Sequence, residues 1–400
     1  MVREASQRDR RQPPGMAAPA TTARANVNLA LVKYWGKRDR ALNLPATGSI
    51  SLTLDGLSVE ASVAFGWGEA DRVEIDGVEA AGDEALRVAR FLDLVRAEAG
   101  RRERALVTTR STVPRGVGLA SSAAAFAALA LAASRAAGLA LDPSALSALA
   151  RRGSGSAARS VLGGFVEWRR GERADGRDSV AEPLAPPDFW DLRVVVALTS
   201  SAPKAVSSRA GMEHAATSPF YPAWVAGAEA DLAEARAAIR ARDLEVLGLV
   251  AEHSALKMHA VGMGARPPLL YWRGATVDCL DRVWKLRAEG TPAFATIDAG
   301  PQVKVLYAPG DARRVAEALR AVPGVERVLA CAPGAGAEVV ARGGSRRVRP
   351  GSSSSPGSTP SSRARPRWSR PSTGTRMSAP CSSPAPARWT SSRSPRGRGA

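Results

Sequence analysis

Five short segments of this 400-residue chain combine residue types that can do chemistry. Asp298-Ala-Gly-Pro301 sets an acid at a strand end beside a tight turn, from which a carboxylate can enter a cleft as a general base. The same spelling also suits an ordinary Gly-Pro turn. Gly153-Ser-Gly-Ser-Ala-Ala-Arg-Ser160 lets a ligand approach the backbone, and Arg159 can grip a carboxylate or phosphate with two parallel hydrogen bonds. A flexible link with a solvated Arg would read the same way. In Pro114-Arg-Gly-Val-Gly-Leu-Ala-Ser-Ser-Ala-Ala124, glycines precede two serines at a helix start. Free N–H groups and the positive dipole end there suit a phosphate, although a plain serine cap has the same pattern and the Walker ending is missing. Lys33-Tyr-Trp-Gly-Lys37 gathers two cations and a phenol around a glycine, or is a surface turn with an aromatic anchor. Ser207-Ser-Arg-Ala-Gly-Met212, followed by Thr217-Ser-Pro219, is a phosphate-contacting loop or a helix cap. His214, His253 and His259 have no metal-ligand spacing.

The elements that must carry these segments follow from periodicity. Alternation predicts strands over 25–32, 49–54, 58–65 and 106–110, with 72–75 entering a hairpin turn at Asp76-Gly77. Helical spacing covers 84–99, and an Ala/Leu run over 122–137 reads as a buried helix closed by Gly138. Asp142 and Pro143 open a helix through Ala150, and in Val161-Leu-Gly-Gly-Phe-Val-Glu-Trp168 a strand is expected after the two glycines. A second half starts near Asp188, with strands at 192–198, 293–297, 303–307 and 325–330, and helices at 222–241, 243–261, 271–288 and 312–321. Strands and helices mix rather than strictly alternate, which predicts an α+β fold. Expected boundaries are a disordered extension over 1–22, lobes over 23–187 and 188–343, and a disordered Ser/Pro/Arg-rich tail over 344–400. The first 15 residues are polar and Arg-rich ahead of Met16, so translation is expected to start there or the stretch to be disordered. The tail composition is also that of GC-rich coding sequence read out of frame.

The net charge of +18 would suggest a nucleic-acid partner if spread evenly. Residues 345–400 hold 12 Arg, no Lys and no acid, which leaves only +6 for residues 1–344. That mild excess suits a phosphate-binding protein and argues against specific nucleic-acid binding. No apolar run reaches the roughly 18 residues of a membrane span, and no secretory h-region is present. Cys279, Cys331 and Cys381 form neither a disulfide framework nor a zinc pattern, and the first two lie in apolar stretches where free cysteines are buried.

In order and wording, the five segments resemble the diphosphomevalonate (mevalonate pyrophosphate) decarboxylases of the GHMP kinase superfamily, over about residues 23–342. The most specific pieces are Lys33–Lys37, Gly153–Arg159 with Gly163-Gly-Phe-Val-Glu-Trp168, and Asp298–Pro301. The resemblance implies a two-lobed fold, with a ribosomal-S5-like N-terminal lobe and a ferredoxin-like C-terminal lobe. It implies ATP as co-substrate with Mg2+, and conversion of (R)-5-diphosphomevalonate to isopentenyl diphosphate, ADP, phosphate and CO2 in isoprenoid biosynthesis. It also implies a cytoplasmic homodimer. Asp298 is implied as base, Arg159 as carboxylate holder and Lys33 as the neutralising charge. Tyr34, Trp35, Gly36, Lys37, Arg72, Ser154, Gly155, Ser156, Ala157, Ala158, Ser207, Ser208 and Arg209 are implied in substrate binding. Gly118, Leu119, Ala120, Ser121 and Ser122 are implied in holding ATP.

Two departures bear on this reading. Kinases of the superfamily have Gly-Leu-Gly-Ser-Ser where this chain has Gly118-Leu-Ala-Ser-Ser122. Many relatives have Asn-Ser-Ser where this chain has Thr47-Gly-Ser49, which leaves open a relative that acts on mevalonate 5-phosphate or only phosphorylates the 3-hydroxyl.

Overall fold

The computed structural model describes residues 19–112, 119–202 and 204–340. Of the disordered extension expected over 1–22, residues 1–18 lie outside these residues, but Thr21 and Thr22 already belong to the first strand, which corrects that boundary. The tail expected to be disordered and the role expected of Gly118 lie outside the described residues. The first half contains strands β1 (Thr21–Val32), β2 (Lys37–Asp39), β3 (Leu44–Pro45), β4 (Ser49–Phe65), β5 (Arg72–Ile75) and β6 (Val78–Glu79), then helix α1 (Gly82–Ala99) and β7 (Ala105–Ser111). Helices α2 (Ser121–Ala136), α3 (Pro143–Gly153) and α4 (Ala157–Ser160) follow, then β8 (Phe165–Trp168) and β9 (Ala181–Ala185). The second half contains β10 (Arg193–Leu198), α5 (Ser208–Ala215), α6 (Tyr221–Ala241), α7 (Leu244–Met263), α8 (Gly274–Ala288), β11 (Ala293–Ile297), β12 (Val303–Tyr307), α9 (Ala312–Arg320), β13 (Arg327–Cys331) and β14 (Glu338–Val339).

The first sheet runs β14-β1-β4-β7-β5-β6, with β8 and β9 attached through β4. Its hairpin turn is the one the sequence marks: Asp76 and Gly77 both have positive φ, as the twist of a two-residue hairpin requires. The second sheet runs β11-β12-β10-β13 with every neighbour antiparallel. In chain order that is strand 2-3-1-4 of a β-α-β-β-α-β unit, the ferredoxin-like arrangement.

Two expected strands, 49–54 and 58–65, are one strand of 17 residues. The exposed Asp55-Gly56 pair breaks the alternation, and the ladder to β1 shifts register there between Asn26 and Asn28 without ending. The strand expected after the two glycines lies at 165–168; α4 occupies 157–160, and Gly164 turns the chain into the strand with φ 69°. Capping is as expected at α3, where the Asp142 side chain accepts from the Ala145 N–H ahead of Pro143.

The largest apolar core is shared by both halves: Leu29, Leu31, Ile50 and Leu52 pack with Leu232, Val250, Phe294 and Leu306. Full burial of side chains of this size stabilises by roughly 1.5–3 kcal/mol each. Polar ties accompany it. Arg236 on α6 makes two 2.8 Å hydrogen bonds to Glu167 on β8, and the Ser254 hydroxyl on α7 accepts from the Lys33 N–H. The C-terminal end of β1 is thereby fixed against the second half.

Candidate active site

Asp298 follows β11 at the turn into β12. Its carboxylate is not consumed by that turn. The turn is closed instead by Thr199 and Thr276, whose hydroxyls donate to the Pro301 carbonyl, and by Gln302, whose side-chain oxygen accepts from the Thr199 N–H at 2.6 Å. The carboxylate lies between two lysines: Lys33 Nζ is 2.7 Å from Oδ1, and Lys304 Nζ is 3.1 Å from Oδ2. Burial alone would raise its pKa, but Lys304 and then Lys33 reverse this and hold the carboxyl well below the usual range. Lys33 is 1% exposed and donates also to the Ala30 carbonyl. Its burial pulls its pKa down to about 8, against the opposing pull of Asp298. Lys204 donates to the Ser208 hydroxyl and the Ala299 carbonyl beside the same centre, and burial brings it too to about 8. His259, on α7, is buried against the Tyr271 and Trp272 rings and is pushed down to about 3, first by burial and then by Lys33. It is therefore a neutral neighbour of the centre at ordinary pH.

Arg159 is 2% exposed, in the one-turn helix α4. Its guanidinium donates to Ser49 Oγ at 2.6 Å and Asn28 Oδ1 at 3.0 Å, both neutral, and its Nε has no partner among the described residues. A buried cation with neutral partners leaves its charge available to an anion entering the cleft. Asn28 is held in turn, donating to Ser160 Oγ and the Ser156 carbonyl. Tyr34 packs edge-on to Trp168 at 4.8 Å, and its hydroxyl is buried with no hydrogen-bond partner among the described residues. Gly155 has to be glycine here, because a Cβ would lie 2.6 Å from that hydroxyl. Gly36 has φ 101°, and a Cβ would meet the Tyr221 hydroxyl.

These groups line one cleft of about 1250 Å³. Lys33, Tyr34, Trp35, Lys37, Ser154, Gly155, Ser156, Arg159 and Asp298 are all on its wall. So are Ser207, Ser208 and Arg209 from the start of α5, and Leu119, Ala120, Ser121 and Ser122 from the start of α2. The α2 N-terminus has no side-chain cap and no acid in its first turn, and it opens on the cleft, so its backbone donors fit a phosphate. Ala120 stands there with φ 55°, in the left-handed region where the kinase pattern has glycine. That conformation costs an alanine roughly 1–2 kcal/mol. Among the described residues no group of three His, Cys, Asp or Glu could cage a metal. A magnesium ion carried on nucleotide phosphates keeps few protein ligands, and the hydroxyls of Ser121 and Ser122 on the cleft wall are oxygen donors of the kind it takes.

Gly36, Ala157 and Ala158 lie behind the wall rather than on it. Arg72 is not brought to the cleft. On β5, Val73 and Ile75 face the cleft, so alternation turns Arg72 and Glu74 away, and Arg72 pairs with Glu74 and Glu79. The sequence reading missed Lys304, Lys204, Asn28, Ser49 and Arg87. Lys304 had a usable signal: a lysine inside Val-Lys-Val-Leu-Tyr, a strand buried at all five positions, has to be paired. Asn28 in the apolar β1 run offered the same anomaly.

Comparison with known proteins agrees with this geometry. Residues 25–181 match the diphosphomevalonate decarboxylase-like N-terminal domain, and residues 194–336 the mevalonate 5-diphosphate decarboxylase C-terminal domain. The diphosphomevalonate decarboxylase of Aspergillus fumigatus is 34% identical over 324 residues, 76% of this chain and 80% of that protein. The human enzyme of the same name is 35% identical over 310 residues, 72% of this chain and 76% of its own length. The crystal structure of mevalonate diphosphate decarboxylase from Staphylococcus aureus superposes with TM-score 0.77 at 37% identity, covering 82% of this chain and 99% of that one. A relative described as MDDEF in complex with MVAPP, AMPPCP and magnesium superposes with TM-score 0.75 at 38% identity, covering 80% and 98%.

Proposed function

This chain belongs to the diphosphomevalonate decarboxylase family, and we propose that it uses ATP to convert (R)-5-diphosphomevalonate into isopentenyl diphosphate, ADP, phosphate and CO2. The observation that carries this reading is Asp298 held between Lys33 and Lys304, in the same cleft as the Arg159 cation, whose hydrogen-bond partners among the described residues are neutral. The substrate presents a tertiary hydroxyl and a carboxylate, and these two features match those two groups.

Asp298 accepts a hydrogen bond from the tertiary hydroxyl and aims its oxygen at the γ-phosphorus of ATP. The new O–P bond forms as the bond from that phosphorus to ADP breaks. A carboxylate with so low a pKa is a weak base. A loose phosphoryl-transfer transition state leaves the proton on the hydroxyl until the O–P bond is well developed, when the oxygen is acidic enough for a weak base to take it. The C3–O bond then breaks with loss of phosphate, and positive character grows at C3. The C1–C2 bond releases CO2, and its electron pair becomes the C2–C3 double bond. Arg159 holds the carboxylate until that step. Lys33, Lys204 and Lys304 are fixed in place before reaction, and such preorganised charge is typically the largest catalytic contribution. The α2 N-terminus with Ser121 and Ser122 would receive the nucleotide phosphates, and magnesium bound to them supplies charge neutralisation.

We also propose lobes divided near residue 188, a homodimer and a cytoplasmic site of action. Exposed Phe220, Met263 and Leu270 support a paired surface, and the two free buried cysteines, Cys279 and Cys331, support a reducing compartment. Among the described residues no helix is long and apolar enough to cross a membrane.

Product analysis tests the reaction. With ATP and (R)-5-diphosphomevalonate, isopentenyl diphosphate, ADP, phosphate and CO2 are expected in equal amounts. ADP without CO2 would leave a 3-hydroxyl kinase instead.

A further inference from the structure

The ion pair of Lys33 and Asp298 joins the two halves of the chain, so neither sheet alone sets its length. The ladder between β1 and β4 shifts register between Ala30 and Val32 and ends at the Val32–Ile50 pair. Lys33 is the first residue beyond it. Its ammonium turns back to the Ala30 carbonyl at 2.7 Å as well as to Asp298. Its backbone N–H lies outside the ladder, and a buried N–H left without an acceptor costs as much as a lost hydrogen bond. The acceptor is Ser254 Oγ on α7, at 3.0 Å. Ser254 is 0% exposed and Lys33 1%, so bulk water does not stand in for this bond.

The same stretch of α7 holds the strand that leads to Asp298. The Ala251 carbonyl accepts from Thr296 Oγ1 at 3.3 Å, and the Glu252 carboxylate accepts from the Ala295 N–H at 3.1 Å. Glu252 is fixed in turn by Trp284 Nε1 at 3.0 Å and by an ion pair to Arg287. Farther along the helix, His259 hydrogen-bonds to the backbone of Ile297, the residue before Asp298. Residues 251 and 254 are three apart and share one face of the helix, and α7 packs on both β1 and β11. One turn of a hydrogen-bonded helix is thus the common reference for both members of the ion pair.

We propose that Ser254 is a positioning residue for the reaction: it fixes the Lys33 backbone to the helix that also holds β11, and so sets the approach of the Lys33 ammonium to the Asp298 carboxylate. This rests on the reaction proposed above. Ser254 is not on the cleft wall, so it acts through Lys33 and not on substrate. Charge fixed before reaction loses its effect when it is displaced, because the protein then has to reorganise as the transition state forms.

The test compares wild type, Ser254→Ala and Ser254→Cys, each alone and combined with Lys33→Met. In Ser254→Ala, kcat should fall roughly 10- to 100-fold, the cost of a displacement of about 1 Å in a catalytic arrangement, while KM for diphosphomevalonate stays within about threefold. Cysteine keeps the shape but is a weak acceptor, so its loss should be smaller and in the same direction. With Lys33→Met in place, Ser254→Ala should cost less than about a further twofold, because the charge it positions is gone. An equal loss in both backgrounds would make Ser254 a general brace of α7 and overturn the proposal, as would a wild-type kcat in Ser254→Ala. Crystal structures of wild type and Ser254→Ala need no turnover: the separation of Lys33 Nζ from Asp298 Oδ1, 2.7 Å here, should lengthen in the variant. An unchanged separation also overturns the proposal. If wild type makes no isopentenyl diphosphate, the reaction reading fails, and that separation alone decides whether Ser254 positions Lys33. Should Ser254→Ala not fold, Ser254→Cys carries the comparison, and a wild-type kcat with it counts against the proposal.

Discussion

At Asp298 the cleft surrounds one carboxylate with Lys33 and Lys304, whereas at Lys37 it sets one cation against others, with the neutral Asn43 as its hydrogen-bond partner and Glu213 acting on it without an ion pair among the described residues. The first arrangement is complete before any ligand arrives. Its charges are buried and compensated, so it is rigid and its fields are fixed where the C3 oxygen must react. The second is incomplete. Its cations are partly exposed and mutually repelling, so its favourable state is the one with anion bound. Catalytic and binding charge are thus told apart by whether the protein itself supplies the counter-charge. Arg159 stands between the two cases: buried like the first group, yet hydrogen-bonded among the described residues to Ser49 and Asn28, both neutral, and so waiting for the substrate carboxylate.

The strongest way to break this contrast is Asp298→Asn. The amide keeps the shape but loses the charge between two lysines and cannot take a proton. Turnover should fall by about 10²–10⁴-fold, with KM for diphosphomevalonate changing far less. A steady-state assay checks this. Near-normal isopentenyl diphosphate production would move the chemistry to another group.

A smaller effect, and one with a pH signature, is expected from Lys304→Met. Asp298 works ionised, so activity is lost as pH falls through its pKa. In wild type that pKa is far below the usual carboxylate range, and the acid limb should be absent between pH 5 and 7. Removing Lys304 removes the strongest single influence that depresses it, so the pKa rises and the acid limb moves up toward the working range. The kcat profile should also fall on the alkaline side as pH rises through about 8, where Lys33 and Lys204 lose their protons. An acid limb that does not move in Lys304→Met would mean that Lys304 does not set the ionisation of Asp298.

Much of this was legible in the sequence, and what was not has a common cause. Asp76-Gly77, Asp142-Pro143 and the Ala/Leu run of α2 encode their structures locally, through backbone preference, capping and apolar periodicity. The five chemical segments were legible as spellings. The partners of those segments were not, because they come from elements far away in the chain: Asn28 and Ser49 reach Arg159 from strands 131 and 110 positions earlier, and Arg87 reaches Gly153 from another helix. Arg72 was misplaced for the same reason. Its neighbour spacing is compatible with the cleft, but strand alternation decides the face, and the sheet decides which face is the cleft.

The smallest expected effect therefore belongs to Arg72→Ala. Arg72 is 47% exposed and pairs with Glu74 at 3.3 Å and Glu79 at 3.4 Å on the side of β5 opposite to Val73 and Ile75. Exposed pairs of this kind contribute about 0–1 kcal/mol, so the urea midpoint should move little. KM for diphosphomevalonate should stay within about threefold of wild type, the range left when a nearby but non-contacting charge is removed in screened solvent. The informative quantity is the contrast with Arg87→Gln, which removes an α1 cation from the cleft wall, in the same assay. If Arg72→Ala raises KM as much as Arg87→Gln does, Arg72 swings away from its glutamates when substrate binds. The incomplete end of the cleft would then extend onto β5. If it does not, that end closes at α1, and the face chosen by one strand's alternation has decided which of two arginines lines the cleft.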